Sequence, residues 1–498
     1  MKRLHLIIYI ALLAATIIHL VPTPLLAQLP AQPSQPAQAE QRATLPLFPM
    51  PRPLTLLTAD ASAPTAPSTL AAKSSRADSV PGGFAAESFP SRSVPGGIAA
   101  ESFPSRSVPG GISAGVAIDA TLYATLRHRL DSLTALPLLQ TTQLGLMVYD
   151  LTADTTIYSH GARQLMRPAS TMKLLTAITA LDLLGDDHFL CTSLYYSGTL
   201  ADGTLQGDLI CCGNMNPQFA DADLKAFVDS LRALGVATIK GRIVMDRSFK
   251  EEELLGEGWC WDDDNPVLSP LLLNREDNLG EQLLACLRRA GISVEGGLLQ
   301  RLVPGFSTGS PSQRKSHLHL VCNSSQHIDQ ILKKMMKDSD NLYAEAVFYQ
   351  IAAHGSQPAR AKEGRAAVRR LISRIGLQPQ QYRIADGSGL SLYNYVSAEL
   401  ETKMLRYAYR HPKIFSRLHP TLPVATIDGT LKSRMAGTRA AGNVHAKTGT
   451  VTGISSLAGY CTAANGHELA FCIINQGVMR AADGKNFQDA VCKALCEP

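Results

Sequence analysis

Three short motifs, in a set order and far apart along the chain, most narrow what it can fold into: Ser170-Thr171-Met172-Lys173, Ser339-Asp340-Asn341 and Lys447-Thr448-Gly449. Each is weak alone, because short patterns of common residues recur by chance. The chain even carries a decoy, since Ser312-Gln313-Arg314-Lys315 also fits Ser-x-x-Lys. Context separates the two. Ser170 follows Pro168 and opens an apolar run of Met172, Leu174, Leu175, Ile178, Leu181 and Leu184 that ends near Gly185. That run reads as a buried helix with the serine in its first turn. The decoy lies among Gly, Pro and Ser with no helical pattern and reads as loop.

The motif residues suit one chemistry. A free serine hydroxyl is a poor nucleophile near neutral pH and needs a neighbouring base. Ser170 is the candidate nucleophile, and one helical turn brings the amine of Lys173 beside it. To act as a base Lys173 must be neutral part of the time. Burial and a second nearby cation both lower a lysine pKa, and Lys447 is the expected second cation. A Ser/Lys pair at this spacing is more often a solvent-facing turn, but the apolar flank and the two other motifs overturn that reading here. Ser339 and Asn341 flank Asp340. In an extended or loop geometry they point the same way, to relay a proton and hold an acyl amide, while Asp340 points into the protein. The plainer reading is a helix N-cap before Leu342, supported by Glu345, and both can hold. Lys447, Thr448, Gly449 and Thr450 read as a strand. Lys447 and Thr448 suit a terminal carboxylate, and Gly449 lets a substrate backbone lie close. The N–H groups of Ser170 and Thr450 are expected to form an oxyanion hole.

A length of 498 residues with 45% hydrophobic content supports a large core in more than one domain. The net charge of +5, without dense basic runs, makes a nucleic-acid partner an unfavoured expectation. Residues 1–27 read as an export signal: Lys2 and Arg3, an apolar stretch from Leu4 to Leu20, and Ala27 as the small cleavage residue. The mature protein is then exported, and soluble or loosely held at a membrane. Ten cysteines in such a chain permit disulfides, with pairing left open against several buried free thiols. Cys461 and Cys472 flank a hairpin turn at Asn465-Gly466, and Cys492 and Cys496 share a helix face. Neither Cys-x-x-Cys nor His-Glu-x-x-His occurs, so no metal or other cofactor is expected.

Residues 28–115 are rich in Pro, Ala and Ser, and Val80–Ser93 recurs almost unchanged from Val94 to Ser107. This 14-residue repeat reads as a disordered tether. Folding is expected from about Ala117, with Leu122, Leu126, Leu130 and Leu133 at helical spacing and strands at Leu144–Asp150 and Thr156–Tyr158. Ile454–Tyr460 and Glu468–Asn475 read as paired strands before a C-terminal helix. The expected fold class is α/β (α+β): an antiparallel sheet built from both chain ends and flanked by helices. Residues 116–187 and 321–498 form this catalytic domain. Residues 188–320 are an inserted module of one or two small domains, with a helix at Leu224–Leu234 and a strand at Ile239–Asp246.

The three-motif set resembles that of the penicillin-binding proteins and serine β-lactamases, which implies a β-lactamase/transpeptidase-like domain. The long spacing after Ser170 narrows the resemblance, as do Asp386-Gly387-Ser388-Gly389-Leu390-Ser391, Leu422-Pro423-Val424-Ala425, Asp428-Gly429-Thr430-Leu431 and Gly256-Glu257-Gly258-Trp259. From about 117 to 498 the chain is similar to the peptidase S13 family of D-alanyl-D-alanine carboxypeptidases, the class C or DacB-like penicillin-binding proteins. That likeness implies acylation of Ser170 by D-Ala-D-Ala peptide stems of peptidoglycan, an endopeptidase activity, penicillins as inhibitors and a periplasmic location. Two departures stand out. Gly213-Asn214-Met215-Asn216-Pro217 replaces the family's Gly-Asp-Pro, and the repeat tether is foreign to it. The alternatives are a serine β-lactamase and a catalytically silent cell-wall-binding protein.

Overall fold

The computed structural model describes residues 120–261, 263–301, 318–355 and 357–498. The expected signal (1–27), the tether (28–115) and the decoy at Ser312–Lys315 lie outside them, as does the side chain of Leu122. Helix α1 (Ala120–Thr134) precedes strands β1 (Gln143–Asp150) and β2 (Thr155–His160). A single 3-10 turn, Ala169–Thr171, then leads into α2 (Met172–Leu183), buried from Met172 to Leu181. Next come β3 (Phe189–Ser197), β4 (Thr199–Ala201), β5 (Thr204–Gln206), β6 (Leu209–Gly213) and α3 (Asp221–Ala233). They are followed by β7 (Thr238–Ile239), β8 (Ile243–Asp246), α4 (Leu279–Arg289), β9 (Ser293–Val294), β10 (Leu298–Arg301) and β11 (Leu318–His327). Helices α5 (Ile328–Lys337), α6 (Asn341–Gly355), α7 (Ala361–Arg374), α8 (Ala398–Arg410) and α9 (Pro412–Leu418) come after. Strands β12 (His445–Val451), β13 (Gly453–Thr462) and β14 (Glu468–Val478) and helix α10 (Ala481–Cys496) finish the chain.

The two chain ends meet in one antiparallel sheet of order β12-β13-β14-β1-β2, so the α/β expectation holds. One row across it reads Lys447, Ala458, Cys472, Met147, Ser159. Side chains alternate between faces, as a pleat requires. Leu144, Leu146, Val148, Leu469, Phe471 and Ile473 pack with Tyr123, Leu126 and Leu130 of α1 and Phe487 and Val491 of α10. Met147, Ala470, Cys472 and Ile474 pack on the other face, with Ile178 of α2, Val347 of α6 and Leu405 of α8. Both faces are covered, which explains the nearly unbroken apolar runs in β1 and β14. Each fully buried Leu, Ile or Phe contributes roughly 1.5–3 kcal/mol of transfer free energy. Cys461 and Cys472 fall on opposite faces, so the hairpin they flank cannot join them. Cys461 instead sits in the same cluster as Cys492 and Cys496, and all ten cysteines are free thiols.

Between β3 and β11 the strands build two further sheets, β10-β8-β6-β3-β11 and β4-β5-β7-β9. Strand β11 pairs with β3 along Leu318–His327, so that sheet continues past the expected boundary at 320. The strand expected at Ile239–Asp246 is broken in two, and β7 and β8 join different sheets. Gly241 marks the break: a Cβ there would lie 2.3 Å from Gly207 O, so only glycine permits this crossing. Met215, Phe249 and Leu268 bury into the core beneath α2 and α6, tying this region to the catalytic core. Among the described residues no helix is long and apolar enough to cross a membrane.

Candidate active site

Ser170 sits in the 3-10 turn ahead of α2, and that turn is pinned from below. Ser456 Oγ of β13 donates to Pro168 O at 2.6 Å, and Thr171 Oγ1 lies 2.7 Å from the buried Glu401 Oε1. One turn on, Lys173 is fully buried. Its Nζ donates to Ser170 Oγ at 3.0 Å, Asn341 Oδ1 at 2.7 Å and Ser388 O at 2.7 Å. Lys447, also fully buried, donates to Ser339 Oγ at 2.7 Å and to Thr448 O at 2.8 Å. The five candidate catalytic residues thus fall into two hydrogen-bonded groups, Ser170 and Asn341 on Lys173 and Ser339 on Lys447.

Strand β12 lies at the sheet edge, along the turn that carries Ser170. A Cβ on Gly449 would come within 2.1 Å of Ser456 Oγ, 2.7 Å of Pro168 O and 3.0 Å of Ser170 N. The glycine therefore lets β12 approach the serine backbone, and Thr450 follows it with an exposed side chain. Thr448 Oγ1 lies 2.8 Å from Thr430 Oγ1, a second hydroxyl at the same wall.

Burial pushes the Lys173 amine down to about 8, while the charges of Asp386, Glu345 and Asp340 pull the other way. Burial also holds Lys447 well below its ordinary value, with the Lys173 charge adding to the effect. Desolvation is thus the leading cause at both lysines, and the two amines repel one another.

The second motif differs from expectation in detail. Ser339 has a left-handed backbone, with φ of 59°, and Asn341 opens α6, so their side chains reach different lysines. The helix cap is Asp340, whose Oδ1 accepts from Tyr343 N at 3.3 Å. Glu345 plays no part in the cap. It accepts N–H bonds from Ser388 at 2.8 Å and Gly387 at 3.1 Å, and burial together with the Asp386 charge pushes its carboxyl up to about 8.

The loop from Asp386 to Ser391, which the sequence marked only as a segment of family likeness, packs against Lys173. Asp386 organises it by accepting from Gly389 N, Ser391 N, Asn394 Nδ2 and Trp259 Nε1, at 2.7–2.8 Å. The loop thereby presents Ser388 O to Lys173. The family likeness of this segment and of Gly256–Trp259 was the available signal. No side-chain pattern announces a backbone carbonyl.

Comparison with known proteins agrees with this architecture. The chain is 27% identical over 458 residues to a D-alanyl-D-alanine carboxypeptidase of Actinomadura sp. (strain R39), covering 75% of this chain and 84% of that protein. It is 26% identical over 405 residues to the D-alanyl-D-alanine carboxypeptidase DacB of Haemophilus influenzae, covering 66% and 84%. The crystal structure of penicillin binding protein 4 (dacB) from Haemophilus influenzae superposes with a TM-score of 0.65 at 23% identity, over 74% of this chain and 98% of that one. The profile of the D-Ala-D-Ala carboxypeptidase 3 (S13) family matches residues 126–271 and 273–497, and the chain belongs to that family.

Proposed function

We propose that this protein is an exported serine D,D-carboxypeptidase and D,D-endopeptidase. It acts on D-Ala-D-Ala stems of peptidoglycan through an acyl-enzyme at Ser170, and penicillins acylate the same hydroxyl. The observation that carries the reading is the fully buried Lys173 amine 3.0 Å from Ser170 Oγ, lowered to about 8 by desolvation.

In its neutral form Lys173 takes the Ser170 proton as Oγ adds to the carbonyl carbon of the penultimate D-alanine. The N–H groups of Ser170 and Thr450 receive the resulting oxyanion, and Asn341 holds the stem amide. Collapse breaks the C–N bond. The leaving amine takes its proton from the Ser339 hydroxyl, which Lys447 resupplies across their 2.7 Å hydrogen bond. Lys447 and Thr448 bind the terminal carboxylate, whose charge favours the protonated form of Lys447. Water then hydrolyses the ester. Gly449 supports this assignment in a different way from the sequence expectation: the space its missing side chain leaves is taken by the Ser170 turn and not by a substrate, which brings β12 and the Thr450 N–H close to Ser170 N.

The pattern at residues 1–27 supports export to a periplasm, with at most a loose hold on the membrane surface. Incubation with a fluorescent penicillin tests the whole scheme. A persistent adduct, lost in Ser170→Ala, together with D-alanine release from a stem peptide, is the expected result. Rapid turnover of the label would point to a β-lactamase, and absence of any adduct to a silent wall-binding protein.

A further inference from the structure

The middle residue of the second motif faces the inserted region. The carboxylate of Asp340 meets the guanidinium of Arg275 in a two-pronged ion pair, with Nη1 to Oδ2 at 2.6 Å and Nη2 to Oδ1 at 3.2 Å. Such a fork fixes direction as well as distance. Arg275 sits on a tight turn closed by reciprocal Leu273 and Glu276 N–H···O bonds of 3.0 Å. Its two central residues, Asn274 and Arg275, are both left-handed, with φ of 50° and 73°. Non-glycine residues seldom adopt that conformation unless their surroundings hold them there. Here the anchors are the buried Leu271 and Leu273 in the insert's core and the bond from Asn274 N to Phe219 O at 3.0 Å.

On the other side, Ser339 is left-handed as well, and Asp340 caps the first turn of α6 through Oδ1. One carboxylate therefore receives the fork of Arg275 and fixes the helix start. The residues on either side of it deliver Ser339 Oγ to Lys447 and Asn341 Oδ1 to Lys173. We infer that Arg275 is a positioning residue for catalysis: from the inserted region it holds Asp340 and so sets Ser339 and Asn341 against the two lysines. This rests on the acyl-enzyme reading of Ser170 and adds a role for the insert.

A charge consequence separates positioning from mere support. Lys173 is faced by Lys447 of β12, Glu345 of α6, Asp386 of the loop below and Asp340, and the three carboxylates raise its proton affinity. Arg275 offsets the last of them. Removing the guanidinium leaves Asp340 unopposed and moves the pH midpoint of acylation up. Removing the carboxylate moves it down, and both changes release the pin.

The test is the second-order rate of labelling by fluorescent penicillin across pH. Wild type is compared with Arg275→Ala, Arg275→Lys and Asp340→Asn, each normalised to the titrated fraction of reactive Ser170. Arg275→Ala should label about 10–100-fold more slowly, since misplacement by about 1 Å can cost 10²-fold. Its midpoint should rise, that of Asp340→Asn should fall, and Arg275→Lys should keep the wild-type midpoint at an intermediate rate. Arg275 is half-exposed, so loss of the ion pair alone leaves the thermal midpoint nearly unchanged. Should Arg275→Ala misfold, Arg275→Lys and Asp340→Asn still carry the comparison. Variants that label at the wild-type rate and midpoint, or that lose only their reactive fraction, overturn the positioning role. A wild type that takes no label overturns the acyl-enzyme reading, and this inference with it.

Discussion

Raising the pH through the range in which Lys173 gives up its proton should switch on acylation of Ser170. With its amine at about 8 instead of 10.5, roughly a tenth of Lys173 is neutral near pH 7, about 300 times the neutral fraction of an unperturbed lysine. The rate of labelling by a penicillin whose own groups do not titrate nearby should therefore climb about tenfold per pH unit up to about 8, then level off. Time courses at low label concentration, with Ser170→Ala as the blank, give the profile directly. The same shift has a cost in stability. Below about 8, holding the proton in a dry site opposes folding by about 3 kcal/mol. Between about 8 and 10.5 the unfolded chain binds a proton at this lysine that the folded chain does not, so its contribution to stability improves as pH rises through that window. A flat labelling profile from about pH 6 to 8, or a midpoint near that of free lysine, would refute the claim that desolvation arms the base.

Gly449→Ala would place a methyl 2.1 Å from Ser456 Oγ, forcing β12 away from Ser170 N, and should slow penicillin labelling by about 10²-fold. Near-wild-type labelling would show that the strand has slack. Glu345→Gln keeps the acceptor for Ser388 N and removes a carboxyl whose proton affinity is raised in the fold. In wild type that raised value makes stability fall as pH climbs from about 4.5 to about 8, so thermal midpoints of the variant should lose less over that range. Parallel curves would place the Glu345 proton elsewhere. Ile473→Ala, in a strand covered on both faces, should cost about 2–5 kcal/mol in urea unfolding, and a value under about 1 would mean the site collapses around the cavity.

What the sequence disclosed about this molecule was disclosed by locally encoded physics. The apolar run after Pro168 became α2, the short apolar runs at both chain ends became one sheet, and Asn465-Gly466 turned the hairpin, because apolar patterning and turn chemistry act between near neighbours. The partition of the insert was less legible. Ile239–Asp246 looks like one strand, and it is divided between two sheets where Gly241 meets Gly207 and Gly296, both distant in sequence. The same limit applies at the site. Ser170, Lys173, Ser339, Asn341 and Lys447 announce themselves by type and spacing. The groups that set their electrostatics do not: a carbonyl at Ser388, a buried carboxyl at Glu345 and a guanidinium at Arg275 have no pattern of their own. Lys173 illustrates why. Its lowered proton affinity arises from exclusion of water by α2, α6 and the Asp386 loop together, opposed by three carboxylates drawn from separate stretches. A motif records which groups react. The medium in which they react is a property of the packed whole, so a chain could keep all three motifs and still lose its base by admitting water beside one amine.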